Sequence, residues 1–292
     1  MDSLRRHGPW YFFAACAVAV GAVWSAVFWI EAHRGLLFLH VLDVGQGDAI
    51  LIEAPNGNQV LVDGGPDETI LTRLAEVMPF WDRSIDLILL THPHADHLDG
   101  LLAVLRRYEV GMVLESGVNH SIPEYAEWHE LIRQQGIPLQ RAGRGQAVRL
   151  GGGAELRVLT PFRSFANTSP RNIHDAAVVA KLAFASSTAL LTADAESSLE
   201  RALIAARDNL RAEVLKVGHH GSKTSTSAGF LAAVRPRLAA VSAGRKNRYG
   251  HPTQEVLDRL ASAGVTVFRT DREGTITFVS DGRAFLRHGA HP

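Results

Sequence analysis

Residues 85–100 read IDLILLTHPHADHLDG, and this segment is the clearest indication of the fold class. Its first part, IDLILLT (85–91), is a continuous apolar run, which is typical of a strand buried on both faces of a sheet. The spacing of apolar residues in DGLLAVLRRY (99–108) then predicts a helix. The segment between them, HPHADH (92–97), places four side chains able to bind a metal ion on a strand-to-helix turn.

The spacing within this turn predicts two groups of ligands. His92 and His94 are two residues apart, so both imidazoles can project to the same side of an extended backbone. Asp96 and His97 lie beyond the corner, where they can face a second ion. Because Cys16 is the single cysteine, a disulfide framework and a cysteine-based zinc finger are excluded. Nitrogen and oxygen ligands without thiolate suit zinc, manganese or iron.

Further candidate side chains end apolar strands or lie in loops downstream. They are His174, Asp194, His219, His220 and His251. Open α/β sheets place their chemistry at the carboxyl ends of strands. A single loop histidine is usually only solvated, but five such residues that follow one HxHxDH motif favour a shared site.

The rest of the chain alternates strand and helix patterns after a short linker. The predicted strands are 36–45, 49–54, 59–65, 85–92, 110–116, 146–150, 154–161, 176–184, 188–195, 212–220 and 238–244, with 266–270 and 274–280 as a final hairpin. The predicted helices are 69–78, 99–108, 124–136, 196–210, 228–236 and 253–264. Strands mixed with helices of comparable length predict a layered α/β sandwich.

An apolar segment precedes this domain. Residues 10–30 carry no charge over 21 positions, which is the length that a helix needs to cross a bilayer. Arg5 and Arg6 precede it, so the positive-inside rule places the N-terminus in the cytoplasm and the following domain outside. We therefore expect a cytoplasmic N-terminus and single-pass membrane anchor over 1–35 and a periplasmic or extracellular domain over 36–292. A cleaved signal peptide is the alternative.

The charges are unevenly distributed, although their sum is zero. Residues 1–132 carry 7 Lys and Arg against 18 Asp and Glu, and residues 133–292 carry 23 against 12. A net charge of zero alone argues against a nucleic-acid partner. The asymmetry favours an anionic partner for the second half, unless the two halves fold together and neutralise each other.

A set of motifs over roughly 38–282 resembles the metallo-β-lactamase fold superfamily, and within it the C-terminal hydrolase domain of ComEC-type competence proteins. The motifs are DVGQGDA (43–49), LVDGG (61–65), THPHADHLDG (91–100), LLTADAE (190–196), LKVGHHGSKTSTS (215–227), AAVSAGRKNRYGHP (239–252) and TDREGTITF (270–278). The resemblance implies an αββα sandwich with a one- or two-metal site at the edge of the sheets. Full ComEC proteins also carry a multispan channel region, whereas this chain has one apolar segment, so it resembles a stand-alone hydrolase of that lineage. A DNA-transport role does not carry over from the resemblance, and a separate channel protein is a candidate partner.

The resemblance also implies a ligand set. His92, His94 and His174 would hold the first ion, and Asp194 would bridge to the second. Asp96 and either His219 or His220 would complete the second site, with His219 preferred, and Asp63 would support the site without binding metal. Many ComEC-type domains resemble HxDxDH at this motif, so a histidine at position 94 favours two ions. Zinc is the preferred metal, with manganese as the alternative.

The implied activity is hydrolysis of a phosphodiester by metal-activated hydroxide, with single-stranded DNA as a candidate substrate. Asp96 would orient the nucleophile, and His220 or His251 would donate a proton or hold the phosphate. Alternatives are hydrolysis of another ester or amide, such as a lactone, a β-lactam or phosphorylcholine, and a non-catalytic DNA-binding role in competence.

Two loops are candidates for binding the substrate. GSKTSTS (221–227) offers Ser222 and Lys223, which can cradle an anion together with backbone N–H groups. Arg245 and Lys246 precede His251 and can bind flanking phosphates. A surface turn with a helix cap is the alternative for the first loop, and a solvated loop for the second.

Overall fold

The computed structural model describes residues 2–289, with side chains described for 10–25, 27, 31 and 33–289. Contacts divide the chain into two compact units at the Arg34–Gly35 junction. The first unit holds helix α1, Asp2–His33. Among the residues open to description, no helix combines the length and apolar character needed to cross a membrane, so the transmembrane anchor stays a prediction.

The second unit contains the strands and the remaining helices. The strands are β1 Leu37–Val41, β2 Ile50–Glu53, β3 Gln59–Val62, β4 Ser84–Ile85, β5 Leu87–Leu90, β6 Glu109–Val110, β7 Val113–Glu115, β8 Leu139–Arg141, β9 Ala147–Gly151, β10 Ala154–Val158, β11 Ala180–Phe184, β12 Ser187–Leu191, β13 Val214–Lys216, β14 Leu238–Val241, β15 Thr266–Arg269, β16 Ile276–Ser280 and β17 Phe285–Arg287. The helices are α2 Thr69–Val77, α3 Ala95–Arg107, α4 Pro123–Gln135, α5 Ser197–Ala205, α6 Ala228–Val234, α7 Gln254–Ser262 and α8 Thr270–Glu273. Short 3-10 turns cover Ile173–Ala176 and Gly218–Gly221.

Fifteen of the described strands form two sheets that pack face to face, and β4 and β6 pair in a separate two-stranded sheet. The first sheet has the order β17-β16-β1-β2-β3-β5-β7-β8, and the second has the order β15-β14-β13-β12-β11-β10-β9. Leu39 and Ile52 of the first sheet belong to the same buried cluster as Leu156 and Leu182 of the second. Helices cover both sheets, so strands such as β1 are buried along their whole length. This is the predicted layered α/β sandwich.

Separate apolar clusters attach the helices to the sheets. Leu74 of α2, Leu101 of α3 and Trp128 of α4 pack with Ile88 of the first sheet. Leu203 of α5, Phe230 of α6 and Leu260 of α7 pack with Leu215 of the second sheet. The order of the layers is therefore helix, sheet, sheet, helix.

The prediction of a final hairpin over 266–280 is wrong. β15 pairs in parallel with β14 in the second sheet, whereas β16 pairs antiparallel with β1 in the first. α8 lies between them, and the chain passes from one sheet to the other. The crossing buries Phe278 between the sheets, while the hairpin partner of β16 is β17.

The topology gathers strand ends at one edge. β3 and β5 are parallel neighbours in the first sheet, and β12 and β13 are parallel neighbours in the second. The carboxyl ends of parallel neighbours open at the same edge, where α/β proteins bind their ligands. The residues that follow these four strands form the site described next.

Candidate metal centre

Three imidazoles and one carboxylate form a compact group after β5 and β12. His92 Nε2 lies 3.2 Å from His94 Nδ1, and His174 Nε2 lies 3.4 Å from the same atom. Asp194 Oδ2 is 3.8 Å from His92 Nε2 and 3.9 Å from His174 Nε2. The four ligand atoms lie within 4.8 Å of one another, which is close enough to hold one ion. His92, His94 and His174 are called the first cluster.

A second group lies beside the same aspartate and faces both of its oxygens. His220 Nε2 is 3.3 Å from Asp96 Oδ2 and 3.5 Å from Asp194 Oδ1. His97 Nε2 is 3.9 Å from Asp96 Oδ1 and 3.4 Å from Asp194 Oδ2. Asp96, His97 and His220 are called the second cluster, and the Asp194 carboxylate lies between the two clusters.

The backbone needs unusual conformations to form this arrangement. His219 and His220 both have left-handed φ angles, 47° and 53°, which non-glycine residues rarely adopt. Such strain collects at functional sites. Gly47 approaches Asp96 so closely that a Cβ at this glycine would lie 2.1 Å from the Asp96 carbonyl oxygen. The close approach of Gly47 therefore helps to fix the conformation of the strand-to-helix turn.

Asp63 supports the second cluster without facing the ion-binding atoms. Its Oδ2 accepts a hydrogen bond from His97 Nδ1 at 2.8 Å, and it also accepts bonds from the amide and hydroxyl of Thr91 at 2.8 and 2.7 Å. A carboxylate on one ring nitrogen fixes the tautomer and orients the other nitrogen. His97 Nε2 therefore faces Asp194, and Asp63 lies where the resemblance implied.

A buried ion pair supports His220, and sequence reasoning gave it no role. Lys216 Nζ donates to Asp48 Oδ2 at 2.7 Å, and both side chains are at most 2% exposed. Asp48 Oδ1 lies 3.3 Å from His220 Nδ1. The signal in the sequence was a lysine that ends the otherwise apolar run VLK of β13. Its partner lies 168 residues away in the motif DVGQGDA.

The first cluster has the electrostatics of neutral imidazoles. Burial, with repulsion from His174 and His97, lowers the pKa of His94 to about 4. Burial likewise lowers the pKa of His92 well below its usual value, and that of His174 to a lesser extent. A neutral imidazole is the form that binds a metal ion.

The second cluster has the opposite electrostatics. Burial alone would lower the pKa of His220, but Asp194 and Asp48 raise it to about 10. Burial also opposes charge on His97, yet the carboxylates of Asp194, Asp63 and Asp96 raise its pKa well above the usual value. These carboxylates create a local excess of negative charge that favours a cation, either as protons on the imidazoles or as a metal ion.

The donor atoms fit a metal ion. His97 Nε2, His220 Nε2 and Asp194 Oδ1 are buried and have no hydrogen-bond partner among the residues whose side chains are described. Buried polar atoms normally have a partner, so several that converge on one point need an explanation. Imidazole nitrogen and carboxylate oxygen are suitable ligands for a divalent ion at that point.

The preference for His219 over His220 at the second site does not agree with the structure. His219 Nε2 lies 3.7 Å from Asp194 Oδ2, but its ring packs 4.6 Å from that of His174. Its Nδ1 lies 3.5 Å from Glu196 Oε1, a carboxylate that sequence reasoning missed. His220 instead faces Asp96 because the two left-handed residues turn the chain between them.

The remaining candidate residues lie around the clusters. The His251 ring is 5.8 Å from that of His219, and its backbone bonds to the Asn247 side chain. Arg245 and Lys246 are exposed in the same loop. The structure therefore brings His251 to the centre and leaves the two basic side chains on the surface.

The GSKTSTS loop is organised by internal hydrogen bonds. Ser222 is buried, and its hydroxyl lies 3.0 Å from the hydroxyl of Thr224. Ser227 caps α6 by accepting a bond from the Phe230 amide at 3.3 Å. Lys223 is exposed. The cap that sequence analysis weighed as the alternative is present, and Lys223 keeps a cation on the surface of this loop.

Comparison with known proteins agrees with this geometry. The Metallo-beta-lactamase superfamily matches residues 42–245. The chain is 29% identical over 255 residues to ComE operon protein 3 of Bacillus subtilis (strain 168), covering 82% of this chain and 32% of that protein. It is 30% identical over 245 residues to Competence protein ComA of Neisseria gonorrhoeae, covering 82% and 31%. The chain thus spans about a third of the length of the curated relatives it matches.

Solved structures share the fold. The metallo-beta-lactamase fold protein YhfI from Bacillus subtilis aligns with a TM-score of 0.57 at 11% identity, over 84% of this chain and all of that one. CmlA, a diiron beta-hydroxylase from Streptomyces venezuelae, aligns with a TM-score of 0.55 at 17% identity, over 82% of this chain and 53% of that one. At these identities the likeness extends to the fold alone.

Proposed function

Because this chain belongs to the metallo-β-lactamase superfamily and is similar to ComEC-type competence proteins, we propose that it is a two-metal phosphodiesterase that cleaves DNA. The observation that carries the proposal is the Asp194 carboxylate, which lies between the two clusters: Oδ2 faces the first cluster and His97, and Oδ1 faces His220. The first cluster would hold one ion and the second cluster the other. Two divalent ions held there would supply a hydroxide nucleophile at neutral pH and charge neutralisation for phosphoryl oxygens.

The exposure of the ligands indicates where the substrate approaches. The Asp96 side chain is 32% exposed, that of His219 is 22% exposed and that of His174 is 12% exposed, whereas His97 and Asp194 are buried. The buried side chains would hold their geometry, and the partly exposed ones would meet the scissile group. Asp96 is therefore placed to orient the nucleophile.

His219 and His251 are the candidates to donate a proton to the leaving oxygen. His251 Nδ1 is buried and without a hydrogen-bond partner within the described part of the chain, and its ring lies 5.8 Å from that of His219. His220, which sequence analysis named beside His251 for this role, is enclosed among Asp48, Asp96 and Asp194. The donor role therefore passes to the more exposed pair.

The charge near the site favours a phosphodiester over a neutral lactone. Lys223, Arg245 and Lys246 are exposed cations on the loops that follow β13 and β14. A site for a neutral lactone has no need of such cations, whereas cations can bind the phosphate groups on both sides of a scissile phosphodiester. The competence proteins among the relatives support DNA as the polymer.

The test is hydrolysis of bis(p-nitrophenyl) phosphate and of single-stranded DNA by the 292-residue chain supplied with zinc or manganese. We expect turnover that a chelator abolishes and that His94→Ala removes. A panel of lactone, β-lactam and phosphorylcholine substrates separates the other ester and amide activities. Salt-dependent DNA binding that neither a chelator nor His94→Ala affects, without any turnover, would instead identify a DNA-binding accessory.

We also propose that residues 10–30 anchor the chain in the cytoplasmic membrane, with the hydrolase domain outside. The support is the uncharged 21-residue run and the flanking Arg5 and Arg6. A separate channel protein is then a candidate partner. Protease protection in spheroplasts tests the topology, because an outer domain is digested without lysis and an inner one is not.

A further inference from the structure

A cleft of about 540 Å³ opens beside the first cluster. His94 forms part of its wall. The other polar lining residues are Asn119, His120, Ser121, Ser169, Arg171 and Asn172. These residues come from the loops after β7 and before the His174 turn, and neither loop was assigned a function from the sequence. A cavity of this volume falls within the range of small-molecule sites.

The lining of the cleft is polar and carries positive charge without negative charge. Arg171 contributes an exposed guanidinium, and no carboxylate belongs to the described lining. The serine and asparagine residues add neutral hydrogen-bonding groups. An anion with hydrogen-bonding substituents fits such a lining, since guanidinium groups favour phosphate oxygens.

Two side chains connect the cleft to the first cluster. The His120 ring lies 5.9 Å from the His94 ring, and its Nδ1 is buried without a hydrogen-bond partner in the region that the structure describes. Asn172 is held in place, because its Oδ1 accepts a bond from the His174 amide at 3.1 Å and its Nδ2 donates to Glu196 at 2.8 Å. A ligand in the cleft would therefore lie beside His94 and the turn that carries His174.

We infer that this cleft binds the nucleotide next to the scissile phosphodiester of a single-stranded polynucleotide. Arg171 contacts the next phosphate, and His120 Nδ1 bonds to the sugar or base. A nucleotide whose base enters the cleft must be unstacked, which a single strand allows without the cost of breaking base pairs. This inference rests on the proposed phosphodiesterase function and names the substrate of that site.

The first experiment measures binding in the absence of turnover. A short phosphorothioate-linked single strand is titrated in EDTA at several salt concentrations, and its fluorescence anisotropy is followed. We expect Arg171→Ala to weaken binding about tenfold and to reduce the slope of log K against log salt by about 0.7, the value for one lost phosphate contact on a single strand. The control is Arg211→Ala, an exposed arginine that precedes the amino end of β13, and it should bind as the unaltered chain does.

The second experiment compares two substrates. On single-stranded oligonucleotide, Arg171→Ala should lose at least tenfold more kcat/KM than on bis(p-nitrophenyl) phosphate, which has no neighbouring nucleotide. Equal losses on both substrates, or binding and salt slope equal to those of Arg211→Ala, would overturn the inference. If the unaltered chain hydrolyses neither substrate, the proposed function fails, and the anisotropy titration still decides whether the cleft binds a strand.

Discussion

The first cluster and the second cluster share Asp194 but differ in charge and in support. The first consists of imidazoles whose pKa values are low, with His94 at about 4. The second contains a carboxylate and two imidazoles whose pKa values are raised, with His220 at about 10. A metal ion therefore meets a preformed neutral site at the first cluster, whereas it must displace protons at the second. The two ions of such a centre need not bind with equal affinity or equal dependence on pH.

The largest effect is expected from removing the carboxylate that the two clusters share. Asp194→Ala should lower kcat/KM on bis(p-nitrophenyl) phosphate by about 10³-fold, since each loss of about 1.4 kcal/mol in transition-state stabilisation is tenfold. It should also leave fewer than two ions bound per chain by elemental analysis. Asp258→Ala, an exposed aspartate on α7, is the matched control and should retain both ions. Full metal content in Asp194→Ala would show that the two clusters are independent.

A large loss of stability is expected where the second cluster depends on buried charge. Lys216→Met leaves Asp48 buried and unpaired, and breaking such a pair costs about 3–5 kcal/mol. Urea unfolding measures the loss. Lys181→Met is the control, because Lys181 is half-buried on β11 and donates only to the Asn209 carbonyl, so the change should cost less than about 1 kcal/mol.

The same urea measurement on a double variant tests the cause. Asp48→Asn combined with Lys216→Met removes both charges and should recover part of the loss of Lys216→Met alone. If adding Asp48→Asn lowers the stability of Lys216→Met further instead of recovering part of it, the ion pair is not what supports the second cluster.

A moderate effect is expected from the group that orients His97. Asp63→Asn keeps the shape of the side chain but removes the carboxylate that fixes the tautomer. Affinity for the second ion should fall about 10–100-fold, the usual cost of losing such a partner, while affinity for the first changes little. Isothermal titration with zinc resolves the two events. Equal weakening of both would mean that Asp63 supports the whole edge rather than the second cluster.

The smallest effect is a difference in pH dependence between the two ions. At pH 6 to 8 the first cluster is already neutral, because the pKa of His94 lies near 4. In the metal-free protein His220 is cationic over the same range, because its pKa lies near 10. Affinity for the second ion should therefore rise by up to about tenfold per pH unit for each proton displaced, while affinity for the first stays nearly constant. Metal titrations at pH 6, 7 and 8 check this, and parallel pH slopes would contradict it.

The sequence predicted the site best where its residues lie close together along the chain. His92, His94, Asp96 and His97 lie within six residues, so a strand followed by a helix already places them together. His219 and His220 could not be told apart, because their left-handed backbone decides which ring faces Asp96. That conformation depends on packing and leaves no periodic pattern in the sequence.

Features that join distant segments were beyond prediction for the same reason. Asp48 and Lys216 are far apart in the chain and meet only when the two sheets pack. The cleft residues His120 and Arg171 lie in loops without periodicity, and no motif marked them. The prediction of a final hairpin was wrong because β15 and β16, although close in sequence, belong to different sheets. β16 pairs with β1, and its Phe278 is buried in the core between the two sheets.

Metal content of the 292-residue chain and of two neighbouring histidine variants tests the two-metal centre. We expect two divalent ions per chain by elemental analysis, one in His220→Ala and two in His219→Ala, because His220 and not His219 faces Asp96. One ion or none in the unaltered chain, or loss of the second ion in His219→Ala with both kept in His220→Ala, would contradict a two-metal centre built on Asp194 and His220.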